Sequence, residues 1–114
     1  MPEFMLILSE GNYNELSPAE MQEAYGKFMA YVKSLRENGQ YVDGDQLAPV
    51  GKYLTGNPPV LSDGPFAESK EVVGGYFKIR AGSLDEAIEI AKPCPGLLYG
   101  GRIEVRPTVG PGGS

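Results

Sequence analysis

The sequence predicts an α+β domain in the split βαβ, ferredoxin-like arrangement, with two helices on one face of a four-stranded antiparallel sheet. Two capped helical segments and four strand-like segments alternate in the order strand, helix, strand, strand, helix, strand. A chain of 114 residues is one domain and can bury a core without a disulfide or a metal. We expect the domain to span residues 1–108, followed by a flexible tail at 109–114.

The first half contains a strand, a long helix and a second strand. Phe4 to Leu8 is a short apolar run typical of a buried strand. Ser17-Pro18-Ala19-Glu20 is a capping box with proline at the first helical position, and Asn38-Gly39 supplies a left-handed stop. Gln40 to Leu47 follows as a strand. The expected core stripe of the helix is Met21, Tyr25, Phe28, Val32 and Leu35, widened by Ala24 and Met29.

The second half begins with a hairpin-like connection. Tyr53 to Thr55 and Val60-Leu61 are possible short strand pieces on either side of a Gly-Asn-Pro-Pro turn. Val72 to Arg80 predicts a long strand, in which Val73, Gly75, Phe77 and Ile79 share one face and Tyr76, Lys78 and Arg80 the other. The glycines at 74 and 75 are expected to mark a bulge or a close backbone approach.

The chain then repeats the helix–strand pattern. A second capping box, Ser83-Leu84-Asp85-Glu86, opens a helix that Pro93 and Pro95 end. Arg102 to Arg106 alternates polar and apolar residues, as a half-buried strand does.

The first strand is apolar on both of its faces. Met5 and Ile7 alternate with Phe4, Leu6 and Leu8, so the sheet face away from the helices would expose an apolar patch. We therefore expect a homodimer that packs sheet face against sheet face with two-fold symmetry.

Composition excludes several functions. A net charge of −5 with scattered cations argues against nucleic-acid binding, and the apolar run at the start is too short to span a membrane. The sequence contains no histidine, so no Ser-His-Asp triad or histidine metal centre can form, and Cys94 alone makes no disulfide. We expect a cytoplasmic protein without a cofactor or a bound metal.

The segment Asp63 to Glu71, reading DGPFAESKE, combines a tight turn with four charges and an aromatic side chain. Together with Val73-Gly74-Gly75-Tyr76-Phe77 it resembles the signature of the DGPF subgroup of the YCII-related family, and the resemblance continues to Pro107. It implies a ferredoxin-like dimeric α+β barrel of largely undefined function. Enzymatic roles suggested for the wider family depend on a histidine and an aspartate in a cleft, and this chain lacks the histidine. The DGPF subgroup is also associated with sigma-factor and transcription systems.

The charged residues of this segment are the candidate site. If the loop folds over a dimer cleft, a desolvated carboxylate would suit general-base chemistry, and Arg106 on the last strand could clamp an anion. The alternatives are structural: Asp63 fixes a turn, the other charges form a solvated loop face, and Arg106 makes a salt bridge with Asp63, Glu68 or Glu71. The candidate acid/base residues are Asp63 and Glu71, and the candidate ligand-binding residues are Phe66, Glu68, Lys70, Tyr76 and Arg106.

Three functions remain open from these expectations, of which the last is a structural scaffold without a ligand. The first is binding of a small polar or anionic ligand in a dimer cleft, with acid/base chemistry by carboxylates. The alternative is a protein-interaction or regulatory module without catalysis, of the kind that the association with sigma factors implies.

Overall fold

The computed structural model describes residues 2–9, 11–48, 50–64 and 73–109. Its regular elements are β1 (Glu3–Ser9), α1 (Pro18–Glu37), β2 (Tyr41–Gln46), β3 (Lys52–Thr55), β4 (Val60–Asp63), β5 (Val73–Arg80), α2 (Leu84–Ala91) and β6 (Arg102–Pro107). Short 3₁₀ turns occupy Tyr13–Glu15 and Pro95–Tyr99. Residues 65–71 of the charged segment and all of the expected tail except Val109 lie outside the described residues.

The main sheet has the strand order β2-β5-β1-β6, with every neighbouring pair antiparallel. This order places the first strand in the interior of the sheet, between β5 and β6, as the split βαβ arrangement requires. The predicted α+β, ferredoxin-like fold is therefore confirmed.

Helix α1 begins and ends where the sequence predicts. The Ser17 hydroxyl accepts from the Glu20 amide at 3.2 Å and the Glu20 carboxylate accepts from the Ser17 amide at 2.9 Å. Gly39, at φ +69°, reverses the chain after the helix, a conformation that only glycine adopts without strain. The Gln40 amide then donates to the Leu35 carbonyl at 2.8 Å, which closes the helix.

The predicted core stripe of α1 is partly wrong. Met21, Tyr25 and Met29 are exposed, whereas Tyr31, which the expected stripe omits, is buried. Ala24, Phe28, Val32 and Leu35 of the predicted stripe do face the core, together with Tyr31. Tyr31 turns inward because its ring meets Phe77 edge to face and its hydroxyl donates to the Ile90 carbonyl at 2.7 Å.

The core lies between the helices and one face of the main sheet. Phe4 and Leu6 of β1 and Phe77 and Ile79 of β5 are buried, while Val105 of β6 packs against them. The expected alternation on β1 is confirmed, since Met5 and Ile7 are half-buried on the opposite face.

Strand β5 contains the expected glycine bulge. Leu8 pairs with Gly75 but Ser9 pairs with Val73, so Gly74 is an extra residue between two register positions. Val73 was expected to share the core face, but it is exposed because the register changes there. A Cβ atom on Gly75 would lie 2.9 Å from the Asp45 carbonyl oxygen, so this glycine permits close approach of β2.

The connection between β2 and β5 is a separate two-stranded hairpin. Strand β3 pairs with β4, with Lys52 opposite Asp63 at one end and Thr55 opposite Val60 at the other. This pairing confirms the two strand pieces expected here. Its four-residue turn begins at Gly56, at φ +81°.

Helix α2 and the segment after it complete the helical layer. The Ser83 hydroxyl accepts from the Glu86 amide at 3.2 Å, as expected for a cap. The Glu86 carboxylate accepts from the Gly82 amide instead of the Ser83 amide that a full capping box would use. In the described part of the chain, neither helix is both long and apolar enough for a membrane span.

Candidate functional site

We call the face of the main sheet that points away from the helices the open face. It carries Tyr76 and Arg106, the two ligand-binding candidates that lie on strands of this sheet. Met5 of β1 lies between Lys78 of β5 and Arg106 of β6, and Ile7 lies between Tyr76 and Glu104. Directly opposed residues of an antiparallel pair point to the same side. Tyr76 and Arg106 therefore flank β1 one row apart, at a separation of roughly 12 Å from strand geometry.

Equal numbers of acidic and basic residues surround Met5 and Ile7. The register adds Asp43 and Asp45 of β2 beside Lys78 and Tyr76, and it sets Glu3 opposite Arg80 at one end of the face. The open face thus holds four carboxylates and four cations around Met5 and Ile7. The carboxylates are Glu3, Asp43, Asp45 and Glu104, and the cations are Lys78, Arg80, Arg102 and Arg106.

The cations of the open face differ in how exposed their ion pairs are. Lys78 pairs with Glu3 at 3.2 Å, and their side chains are only 25% and 16% exposed. Arg106 pairs with Glu104 at 3.7 Å, with both side chains in solvent. Exposed pairs of this kind contribute about 0–1 kcal/mol, so Arg106 can leave Glu104 for another anion more readily than Lys78 can leave Glu3.

Tyr76 and Asp43 form a donor–acceptor pair on the open face. The Tyr76 hydroxyl donates to Asp43 Oδ2 at 3.2 Å. This hydrogen bond, together with the negative charge of Asp43, raises the pKa of Tyr76. The phenol therefore keeps its proton at neutral pH and acts as a donor.

Asp63 lies on the hairpin, away from the open face. It is the last residue of β4, and its carboxylate pairs with Lys52 across the hairpin. The side chain is 80% exposed, so in the single chain it is not enclosed in a cleft. The other candidates of this segment, Phe66, Glu68, Lys70 and Glu71, lie outside the described residues.

The structure does not join Arg106 to Asp63. One expectation was that Arg106 pairs with Asp63, Glu68 or Glu71; in the single chain its side chain is 66% exposed and pairs with Glu104. The sheet order explains the separation from Asp63, because the hairpin follows the edge strand β2 and Arg106 lies on the opposite edge strand β6.

Asp43, Asp45 and Glu104 of the open face were not among the sequence candidates. A signal for the first two is present, because Asp43-Gly44-Asp45 places two carboxylates two residues apart within a strand. Their contact with Tyr76 depends on the pairing of β2 with β5, which the sequence pattern does not specify.

Gly64, the glycine of the DGPF motif, is buried beneath an aromatic ring. The position that a Cβ atom would take on Gly64 is filled by the ring of Tyr53. The Gly64 amide also donates to the Gly51 carbonyl at 3.4 Å. The backbone at this glycine thus closes the base of the hairpin against β3.

Two shallow grooves lie on the helical side of the molecule. One, of about 350 Å³, runs between α1 and residues 93–98, and the other, of about 150 Å³, lies between α2 and β6. Neither groove contains a candidate site residue. Cys94 is buried nearby, and desolvation raises its pKa to about 11, so the thiol keeps its proton at neutral pH. Within the described ranges, no three carboxylate or cysteine side chains converge as a metal site.

Comparisons with known proteins agree with this architecture. A family model described as YCII-related domain matches residues 4–109. An uncharacterized protein of Rhizobium meliloti is 33% identical over 79 residues, a stretch that covers 60% of this chain and 64% of the relative. The structure of 5-chloro-2-hydroxyhydroquinone dehydrochlorinase from Burkholderia phenoliruptrix, in complex with 2,5-dihydroxybenzoquinone, superimposes with a TM-score of 0.52 at 17% identity, covering 96% of each chain. At this identity the similarity concerns the fold.

Proposed function

The chain belongs to the YCII-related domain family, and from that premise we propose that it is the subunit of a homodimer that binds a small polar or anionic ligand at the open face of its sheet. The observation that carries the proposal is the arrangement of Tyr76 and Arg106 on either side of half-buried Met5 and Ile7. A pocket that holds a small molecule combines apolar lining with a few placed polar groups, and this face offers both once a second sheet covers it.

The donors on the open face favour an oxygen-rich ligand. Arg106 can exchange its exposed partner Glu104 for a ligand carboxylate, phosphate or enolate. Tyr76 supplies a neutral donor beside Asp43, so the two can pass a proton to or from a ligand hydroxyl. The fold neighbour contains a dihydroxylated quinone, which makes oxygenated aromatic compounds suitable members of a ligand panel.

Acid/base chemistry in this site would use a carboxylate, since the chain has no histidine. Asp43 is the described carboxylate in contact with Tyr76. Asp63 and Glu71 are the candidates from the charged segment, and Asp63 would reach a ligand only through the hairpin that carries it.

A thermal-shift panel tests this proposal. The full chain is titrated with carboxylates, phosphate esters and 2,5-dihydroxybenzoquinone, and the compound giving the largest stabilisation is compared among variants. We expect Arg106→Gln and Tyr76→Phe each to weaken its binding about tenfold, because each removes a hydrogen bond to the ligand, a charged one for Arg106. Lys33→Gln is the control, since Lys33 is an exposed cation of α1 paired with Glu37. Equal affinity for all three variants would contradict the proposal.

A second candidate is a protein-interaction module, favoured by the surface of α1. Met21, Tyr25 and Met29 recur every four residues and are 40%, 64% and 50% exposed, which forms an apolar stripe suited to a partner helix. This role predicts weaker capture of a partner protein by Tyr25→Ser, with ligand affinity unchanged.

A further inference from the structure

The β3–β4 hairpin, residues 52–63, which we call the arm, is exposed at every strand position. Leu54 and Leu61 lie directly opposite each other, and they are 70% and 61% exposed. A two-stranded hairpin is marginally stable in water unless another surface covers its apolar side chains. The arm therefore needs a surface on which to pack.

The two sides of the arm differ. Because side chains alternate along a strand, Leu54 and Leu61 share one side with the Lys52–Asp63 pair. The other side carries Tyr53, whose ring already covers Gly64 of its own chain. The leucine side is thus the one whose apolar side chains lie mostly in solvent, since Leu54 and Leu61 are 70% and 61% exposed.

The dimensions of the molecule show a flat and extended chain. The chain measures 42 × 41 × 18 Å, and its radius of gyration is 15.5 Å, against about 13 Å for a compact domain of this size. A helix layer on a sheet accounts for the short dimension, and the two long dimensions show that the chain spreads wider than a compact domain.

Area and charge favour a second copy of this chain as the partner. The open face has a flat footprint of about 400 Å², estimated from four strands of six residues, which is small for a dimer interface that buries roughly 800 Å² of accessible surface per partner, even though accessible surface exceeds the flat area beneath it. The arm can supply the missing apolar surface. The balanced charges of the open face also suit a self-complementary two-fold contact, and Lys52 and Asp63 neutralise each other on the arm.

We propose that the arm docks through Leu54 and Leu61 on a second copy of this chain and so carries Asp63 into the dimer interface. This inference rests on the homodimer of the proposed function. It assigns the two edges of one ligand site to different chains, with Arg106 from one protomer and Asp63 from the arm of the other. A carboxylate that lies in solvent in one chain thereby becomes part of a shared site.

Sedimentation equilibrium of the full chain tests the docking. We expect Leu61→Ser and Leu54→Ser each to weaken dimerisation at least about tenfold, as expected for loss of a buried leucine contact. Val60→Ser is the matched control, because Val60 is adjacent, also 61% exposed and on the other side of the arm. Its dissociation constant should stay within about twofold of the original chain. Equal effects of Leu61→Ser and Val60→Ser would overturn the proposal.

Photocrosslinking from a benzoylphenylalanine at position 61 gives an independent measurement. A mixture of tagged and untagged chains should yield a covalent dimer containing both forms. Crosslinks only within one chain, or only to an unrelated protein, would overturn the docking on a second copy.

The arm and the sheet-face dimer can fail separately. If Ile7→Glu abolishes dimers while Leu54→Ser and Leu61→Ser leave them intact, the arm proposal is wrong and the proposed function stands. If the leucine variants dissociate the dimer while Ile7→Glu leaves it and the ligand shift intact, the open-face site is wrong and the arm stands. A monomeric original chain at micromolar concentration would contradict both.

Discussion

Gly64 gives a steric reason for one letter of the DGPF motif. Its φ angle is not positive, so the glycine is not required by a left-handed turn. The requirement comes from Tyr53, whose ring lies where a Cβ atom would be. The motif glycine and the aromatic residue eleven positions earlier therefore form one contact that closes the base of the arm.

Substitution of Gly64 by alanine should destabilise the protein. We expect Gly64→Ala to lower the free energy of unfolding by about 0.5–1.5 kcal/mol, because the Tyr53 ring, which is 49% exposed, must leave its present rotamer to make room for the methyl group. Urea denaturation and the rate of proteolysis within residues 51–63 measure the effect. Gly74→Ala is the control, because a Cβ atom there meets nothing nearer than the Leu8 carbonyl oxygen at 4.0 Å.

The cause can be separated from a general intolerance of Gly64. In a Tyr53→Ala background the ring is gone, so Gly64→Ala should cost much less, and the difference is the coupling energy of the pair. An equal cost in both backgrounds would refute the steric explanation.

At the residue scale, the sequence predicted which side chains share a face better than which side chains touch. Tyr76 and Arg106 are both on the open face, as the period of two along their strands indicates. The expected pairing of Arg106 with Asp63 is not made within one chain, where Arg106 pairs with Glu104 and Asp63 pairs with Lys52. Which side chains touch depends on their rotamers and on the neighbouring strands, and the period of two along one strand does not specify these.

Helix α1 shows what local signals determine at the scale of an element. Its capping box and its Gly39 stop were predicted because both are made by residues within a few positions of each other. The side that it buries was predicted less well. Tyr31 is buried where Met21 and Tyr25 were expected, because it contacts Phe77 and Ile90, which are distant in the sequence.

The two glycines of this helix region should respond oppositely to alanine. A Cβ atom on Gly26 or on Gly39 would meet nothing within 4 Å, so packing does not distinguish them. Gly26 lies within the helix, and Gly26→Ala should raise the free energy of unfolding by about 0.5–1 kcal/mol. Gly39 has φ +69°, and Gly39→Ala should lower it by about 1–2 kcal/mol.

Urea denaturation at one fixed protein concentration measures both changes, since dimerisation would make stability depend on concentration. The opposite signs are the informative result. A loss of stability for Gly26→Ala comparable to that of Gly39→Ala would mean that a second copy of the chain covers the exposed side of α1 in solution.

The hairpin was predictable as an element because its turn residues and short apolar strands are contiguous. Its exposure was not, since a sequence pattern of Tyr53-Leu54-Thr55 and Val60-Leu61 is equally typical of strands inside a sheet. The pairing of β5 with β2 and β1 leaves no place in the main sheet between β2 and β5 for a further strand. The hairpin is therefore a separate sheet.

The whole molecule is a slab with one covered and one uncovered sheet face. Sequence patterns predicted both faces, because β1 is apolar on each. They did not predict the width of the slab, which is 42 × 41 Å in its long dimensions. A slab of this shape has two distinct ways to pair: face to face, as the open face and the arm together favour, or edge to edge through the unpaired edges of β2 and β6.

Small-angle X-ray scattering distinguishes these two dimers. Two slabs of radius of gyration 15.5 Å, stacked with their centres one 18 Å thickness apart, give a radius of gyration of about 18 Å by the parallel-axis relation. Placed side by side with centres 42 Å apart, they give about 26 Å. We expect the smaller value for the original chain, because stacking covers Met5 and Ile7 and brings each arm over the other chain. Leu61→Ser should return the radius towards 15.5 Å at low concentration. A dimer near the larger value would place the open face in solvent and rule out a ligand site shared between two sheets.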